Sequence, residues 1–311
     1  MTQGPRPGVP RRTAVAGVAA VVLSASGCGI RLEDDAPRLP LLPTRTPMPA
    51  EAELVALTRD TAALATLAAT VPGALGADLA TLHQRQHTVL RTALLAGGAP
   101  ATDLDAAPTA SASPATATPS PATRRAALAS AEGASAASAA SFAGVAGDLR
   151  ATIASLHAQR YAAATLLAGR PPTVPLDPVG GDRVGALAAL TDAAGYFFEV
   201  VSARSAGAQR DRSDTTLAVL RSLSGDQLAG DARPDTSLGH PLPFPVEGAV
   251  DAARLARETL TTLRAGYGEQ LGPVVASAGG PGLAALTRWL GAVEVEAHRW
   301  GVALEPFPGL E

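Results

Sequence analysis

The apolar side chains of this chain come mainly from alanine and leucine, and this choice constrains the fold more than any other feature. Hydrophobic residues make up 47% of the 311 residues, but aromatic residues make up only 3%. Alanine and leucine have high helix propensities, whereas the aromatic and β-branched residues that favour strands are sparse. The sequence therefore predicts an all-α protein.

Apolar residues recur at spacings of three and four along most of the body, which is the period of a helix that buries one face. Predicted helices cover residues 51–71, 75–96, 123–168 with breaks near its glycines, 184–203, 210–223, 246–271 and 281–304. The last helix carries a narrow apolar seam of Leu283, Leu286, Leu290, Val293, Ala297 and Trp300. Antiparallel helices with such seams pack as a bundle.

Proline- and glycine-rich segments separate these helices and predict the domain organisation. The predicted regions are an export signal at 1–27, a Pro-rich tether at 28–49, an N-terminal helical region at 50–168, a Pro-rich linker at 169–182 and a helical bundle at 183–304. Residues 98–122 are low in complexity, so we expect a disordered insert there. The glycine-rich segment 279–282 lacks the form of a phosphate-binding loop and is expected to be a turn.

The first 28 residues have the order of a bacterial export signal. Arg11-Arg12 precede an apolar run from Ala14 to Leu23, and small residues then lead to Cys28, the only cysteine. The run is about half as long as a bilayer-spanning helix, which favours a cleaved signal over a membrane helix. The export route, general secretion or twin-arginine transport, is left open by the residues around the arginine pair.

The small residues Ala25-Ser26-Gly27 directly before Cys28 resemble the lipobox of bacterial lipoproteins, although that family prefers leucine where Ala25 stands. The resemblance implies a lipid on Cys28, which would hold the protein on the outer face of the membrane. Two or more acyl chains anchor firmly because each buried methylene contributes about 0.8 kcal/mol. The proline-rich tether behind it could extend by about 60–70 Å. A buried thiol is the competing interpretation, but Cys28 lies in no periodic apolar segment.

Charge and motif content argue against several function classes. The formal charge is −3, and loss of Arg6, Arg11 and Arg12 with the signal would change it to −6 (−3 minus 3), so no basic patch for nucleic acid is expected. A single cysteine excludes an internal disulfide. No nucleophile, zinc-protease or nucleotide-binding motif stands in a convincing context. The sequence favours a non-catalytic binding or scaffold module with an unknown envelope partner and no expected cofactor.

The alternative function, a metal or small-ligand site, depends on His83, His87, His157 and Tyr161. His83 and His87 are four residues apart, and Arg85 between them lies on the opposite side of the helix, which assigns both histidines to the apolar face. His157 and Tyr161 share an apolar face in the same way. Inward histidines at this spacing can chelate a transition metal. Satisfaction by hydrogen bonds in a bundle interior is the competing interpretation.

Carboxylates of the second half are expected on solvated faces. Glu294 and Glu296 flank the seam of the last helix, and His298 is predicted to point outward and to form a surface pair with Glu294. Outward positions are also predicted for Asp192, Glu199 and Glu258. A ferritin-like oxidase requires inward carboxylates, so the sequence argues against that activity.

Residues 183–304 resemble a family of actinobacterial lipoproteins that carry a ferritin-like helical domain of unknown function. The resemblance rests on Ala186-Leu187-Ala188-Ala189, on Leu242-Pro243-Phe244-Pro245-Val246, on Tyr267 and on a final helix that closes with Trp300. It implies a ferritin-like four-helix bundle. Where the family tends to have a Glu-His pair, this chain has Leu190 and Thr191, so the resemblance carries over no metal site.

Overall fold

A computed structural model describes residues 45–105, 119–230 and 239–310. Within these ranges the chain is helical and has no strand, which confirms the all-α prediction. The helices are α1 (Glu51–Ala69), α2 (Ala74–Ala96), α3 (Ala101–Asp105), α4 (Pro121–Ala137), a 3-10 helix (Ala139–Gly144), α5 (Arg150–Ala168), α6 (Asp182–Ala203), α7 (Gly207–Leu228) and α8 (Ala249–Arg299). Cys28, the signal at 1–27 and most of the tether lie outside the described residues.

Within the segment expected to be a disordered insert, two parts are helical. Residues 101–105 form the short helix α3, which buries Leu104. Helix α4 begins at Pro121, and Ser120 caps it by accepting a hydrogen bond from the Thr123 backbone N–H. Serine at the cap and proline in the first turn are the preferred residues for a helix start.

Helix α5 is the central element of the fold. Fourteen of its 19 residues are buried, and it packs along α8 on one side and α4 on another. Helix α1 packs mainly against α2, and α6 packs against α7 and α8. Because α5 belongs to the first predicted helical region and α8 to the second, the two regions share one core.

Close approach of α5 and α8 depends on Gly291. A Cβ atom at this position would lie 2.6 Å from Cδ1 of Tyr161 and 2.8 Å from the carbonyl oxygen of Ala158. Both distances are shorter than van der Waals contact, so only glycine fits between the two backbones.

Helix α8 runs through the segment that the sequence pattern divided into two helices. Its residues 272–278, which were expected to be irregular, are helical, and the path breaks at Gly279, where φ is 57° and ψ is −132°. This conformation is disfavoured for residues with a Cβ atom. The predicted break is thus present, but it is confined to one residue.

One described helix, α6, is long and apolar enough to span a membrane by length and composition. Its side chains Leu187, Phe198 and Val201 are fully buried in the common core. A core helix of this kind and a membrane helix have the same composition, so the feature does not distinguish between them.

The residues after α8, 301–310, pack back into the bundle, and we call them the C-terminal tail. The carbonyl of Pro306 accepts a hydrogen bond of 2.6 Å from Gln86 Nε2 on α2. The carbonyl of Pro308 accepts one of 2.7 Å from Ser155 Oγ on α5. The folded region therefore extends beyond residue 304, where the sequence pattern ended it.

Candidate functional site

Six polar side chains from four helices meet in the interior, and we call them the buried polar centre. All six are fully buried. They are Thr61 of α1, His83 and Gln86 of α2, Glu132 of α4, and Gln159 and Arg160 of α5.

An ion-paired group forms the middle of this centre. Nε2 of His83 lies 2.6 Å from Oε1 of Glu132, and Nη1 of Arg160 lies 3.3 Å from Oε2 of the same carboxylate. Nη2 of Arg160 donates to Oγ1 of Thr61 at 3.1 Å. Burial lowers the pKa of Arg160, and the charge of Glu132 opposes that shift. A buried charge requires such compensation, and Glu132 and Arg160 supply it to each other.

Amide side chains continue the network from the ion pair to the C-terminal tail. Oε1 of Gln86 lies 3.1 Å from Nδ1 of His83. Nε2 of Gln86 donates to Oε1 of Gln159 at 3.1 Å as well as to the carbonyl of Pro306. The centre thus joins α1, α2, α4, α5 and the tail by hydrogen bonds.

His157 is buried beside this centre but belongs to a different contact. Its Nδ1 donates to the carbonyl of Ser135 at 2.9 Å, and its ring stands 5.0 Å from that of Phe142. Nε2 has no hydrogen-bond partner among the described residues. Burial, reinforced by the charge of Arg160, lowers the pKa of His157 to about 3. The imidazole is therefore neutral at physiological pH.

The four predicted site residues do not converge. His83 and His157 are buried, as predicted, but His87 is partly exposed, so its assignment to the interior is wrong. Residues 83, 86 and 90 centre the buried arc of α2, and His87 falls at its edge. Tyr161 contacts Gly291 of α8 and lines a cavity whose lining includes none of the three histidines. In the parts of the chain that the structure describes, no group of three or more His, Cys, Asp or Glu is placed to hold a metal.

A second buried cluster contains Thr191, Gln227 and Tyr267. The hydroxyl of Tyr267 donates to Oγ1 of Thr191 at 2.8 Å, because that oxygen already donates its own proton to the carbonyl of Leu187. Nε2 of Gln227 donates to the Tyr267 oxygen. Burial raises the pKa of Tyr267 to about 12. This cluster is neutral and built from α6, α7 and α8.

The prediction that Glu294 and Glu296 lie on a solvated face is wrong, because both are buried. Oε2 of Glu294 accepts from Nη1 of Arg264 at 3.0 Å, and its Oε1 accepts from the backbone N–H of Glu305. Burial raises the pKa of Glu294, and the charge of Arg264 opposes the rise. The surface pair of Glu294 with His298 is therefore wrong as well.

Glu296 is enclosed in the same way on the other side of α8. It accepts from Oγ1 of Thr216 at 2.8 Å and from Nη1 of Arg299 at 2.7 Å. The outward positions of three other carboxylates are confirmed: Asp192, Glu199 and Glu258 are exposed. Inward carboxylates thus exist in this fold, but Glu132, Glu294 and Glu296 each have an arginine partner.

Tyr161 lines a cavity of about 250 Å³ between α5, α7 and α8. Charged side chains of both signs surround this cavity, among them Asp226 and Arg288. Burial raises the pKa of Tyr161, while the charge of Arg288 opposes the shift and that of Asp226 reinforces it. Tyr161 is thus a predicted site residue that the structure places at a concave surface with polar groups.

Comparisons of the chain with protein-family models, with curated proteins and with solved structures find no match.

Proposed function

We propose that the chain is an exported lipoprotein of the bacterial envelope, anchored through Cys28, whose folded region acts as a non-catalytic binding or scaffold module. The observation that carries the non-catalytic part of the proposal is the pairing of each buried carboxylate with an arginine of the protein. Arg160 fills the middle of the buried polar centre, where it neutralises Glu132 and contacts Thr61. A guanidinium is protonated at all physiological pH values, so this position holds a permanent cation of the protein itself.

The buried carboxylates of α8 show the same pattern. Glu294 is satisfied by Arg264 and by a backbone N–H, and Glu296 is satisfied by Thr216 and Arg299. Groups that are fully paired in this way add conformational specificity rather than reactivity. A module that presents its surface to a partner needs this rigidity and needs no reactive group.

A ferritin-like arrangement of residues 183–304 is part of the proposal. The described residues of this range form four helical segments: α6, α7, and the parts of α8 before and after Gly279. The neutral Thr191–Tyr267–Gln227 cluster would then stand where relatives of this architecture hold charged ligands. An experimental structure of the chain, superposed on ferritin-like bundles, tests this assignment.

The anchor is tested by replacing its one candidate residue. Cys28→Ser should move the protein from the membrane fraction into the medium, or leave a precursor with the mass of residues 1–27 still attached. Ser24→Ala, in the same signal but outside the small residues next to Cys28, should fractionate like the wild type. If Cys28→Ser leaves both the fractionation and the precursor mass unchanged, the lipoprotein proposal is wrong.

The second candidate function is a metal or small-ligand site that uses His83, His87, His157 and Tyr161. One observation favours it, the unpartnered and buried Nε2 of His157. The nearby Arg160 opposes it, because its charge repels a cation.

Elemental analysis of the purified full-length chain decides between the two functions. We expect no stoichiometric metal and a melting temperature that EDTA does not change. A stoichiometric metal that is lost in His83→Ala/His87→Ala and retained in His298→Ala would replace the first function by the second.

A further inference from the structure

The cavity beside Tyr161 combines charged side chains of both signs with an aliphatic wall. It opens between the C-terminal half of α5, the last turns of α7 and the last turns of α8. Its volume of about 250 Å³ lies below the range of drug-sized ligand sites, roughly 300–1,000 Å³. Two larger grooves, of about 610 and 600 Å³, are lined largely by alanine and other small residues. The smaller cavity therefore suits a small metabolite.

Two ion pairs form the polar walls of the cavity. Nη2 of Arg288 lies 2.9 Å from Oδ2 of Asp226, and Nη1 of Arg299 lies 2.7 Å from Oε1 of Glu296. The charges on the walls cancel, so the cavity favours a ligand with no net charge. Each guanidinium has five N–H donors and uses one nitrogen in its ion pair, which leaves donors for a carboxylate.

The two acids differ in what they can still accept. Glu296 is 2% exposed and its oxygens are engaged by Thr216 and Arg299. Asp226 is 23% exposed and lines the cavity, and its Oδ2 is paired with Nη2 of Arg288 at 2.9 Å. A ligand ammonium would contact this carboxylate where its side chain remains exposed.

The remaining walls define the body of the ligand. Val219 and Leu223 of α7 face Ala292 and Val295 of α8 across the cavity. This lining is aliphatic, and burial of an aliphatic group against it contributes about 25 cal/mol per Å² of surface removed from water. Tyr161 lines the same cavity.

We propose that this cavity binds a small zwitterion, an α-amino acid with an aliphatic side chain. Its carboxylate is bound by the free donors of Arg288, its ammonium by the carboxylate of Asp226, and its side chain by the aliphatic wall. The inference rests on the proposed function as a binding module and names the ligand class of that module.

The experiment is calorimetric titration of the purified full-length chain in mild detergent with L-leucine. We expect saturable binding at one site per chain. Two probes isolate the charges: 4-methylpentanoate lacks the ammonium, and 3-methylbutylamine lacks the carboxylate. Both should bind at least about tenfold more weakly, which corresponds to about 1.4 kcal/mol.

Single substitutions test whether leucine binds in the cavity beside Tyr161. Asp226→Asn and Arg288→Gln should each weaken leucine binding at least about tenfold, and Tyr161→Phe should weaken it less. The matched control is Arg254→Gln/Glu258→Gln, which removes an exposed Arg–carboxylate pair of the same helix, with Nε 2.7 Å from Oε1. Melting temperatures identify any variant that fails to fold.

The proposal is overturned if the wild type shows no saturable leucine binding or if either single-charge probe binds as well as leucine. It is also overturned if the Arg254→Gln/Glu258→Gln control weakens leucine binding as much as Asp226→Asn or Arg288→Gln does. Failure here is separable from failure of the proposed function. If leucine does not bind but the protein is still anchored through Cys28, only the proposed ligand class is wrong. If the protein never reaches the membrane fraction, the proposed role in the envelope is wrong.

Discussion

Arg160 connects three helices at the scale of single residues, because its guanidinium contacts Glu132 of α4, His83 of α2 and Thr61 of α1. The side chain is fully buried. Removing one member of a buried ion pair leaves the other charge without compensation inside the protein. We therefore expect replacement of Arg160 to destabilise the fold.

Arg160→Met should lower the free energy of unfolding by about 3–5 kcal/mol, since it removes the compensating positive charge from the buried Glu132 and leaves that carboxylate its contact with His83 alone. Urea denaturation followed by far-ultraviolet circular dichroism measures the change. Arg221→Met is the matched control, because Arg221 and Glu199 form a solvated pair with exposed side chains, and we expect it to cost no more than about 1 kcal/mol. Equal losses in the two variants would contradict a compensating role for Arg160.

The buried imidazole of His157 should make the stability of the fold depend on pH. Its pKa in the folded chain is about 3, below the ordinary value of 6.5, so the unfolded chain binds more protons between these values. The contribution of the neutral imidazole to the free energy of unfolding is therefore fully present above about pH 6.5, and it is lost as the pH falls toward 3. The melting temperature should therefore fall less between pH 7 and pH 4 in His157→Phe than in the wild type. An unchanged slope in that variant, with His298→Phe as control, would contradict the prediction.

At the scale of elements, sequence periodicity found the helices but misjudged which faces they bury. The pattern of α8 shows one apolar seam, and that seam is buried as predicted. Glu294 and Glu296 beside it are buried too, because α5, α7 and the C-terminal tail cover α8 on several sides. A single seam reports where apolar residues lie on a helix and carries no information about how many neighbours cover it.

Substitution of Gly291 by alanine tests the close contact between α5 and α8. Gly291→Ala places a methyl group against Tyr161 and the Ala158 carbonyl and should destabilise the fold by about 1–3 kcal/mol through overpacking. Gly272→Ala in the same helix meets nothing within 4 Å and should be neutral or stabilising by up to about 1 kcal/mol, since alanine has the higher helix propensity. Thermal unfolding of both variants measures the two changes in stability. If both variants were destabilised, or both stabilised, the packing argument would be contradicted.

At the scale of the whole molecule, the C-terminal tail holds distant helices together. Gly309 lies against the backbone of Gly268, where a Cβ atom would stand 1.8 Å from the Gly309 carbonyl oxygen. Nη2 of Arg264 pairs with Oε1 of Glu305 at 2.5 Å. Together with the bonds from Gln86 and Ser155, these contacts join the tail to α2, α5 and α8.

A chain that ends at Val302 should lose at least about 2 kcal/mol of unfolding free energy, because Ser155 and Gln86 each lose a buried acceptor. Differential scanning calorimetry measures the loss. A chain that ends at Leu310 keeps every tail contact described above and should unfold like the wild type. Equal stability of the two chains would show that the tail contributes nothing to the fold.

A lone acidic residue in a segment rich in alanine was the available signal for the buried centre. Glu132 is the one acid between Pro121 and Ala137, and Ala131 and Gly133 flank it. Its partners His83 and Arg160 are 49 and 28 residues away. Local patterning marks such a residue as unusual, but the partner that neutralises it is set only when the helices pack.

The sequence alone determined the helical class, most helix positions and the apolar seams, because propensity and periodicity are local properties of the chain. It also carries the proposal for Cys28, which depends on neighbouring residues and not on packing. Tertiary structure decided what the polar residues do: it paired Glu132 with Arg160 and Glu294 with Arg264, placed His87 at the edge, and brought Tyr161 to the cavity with Asp226 and Arg288. These outcomes depend on residues far apart in the chain, since a buried charge persists only where packing supplies its partner.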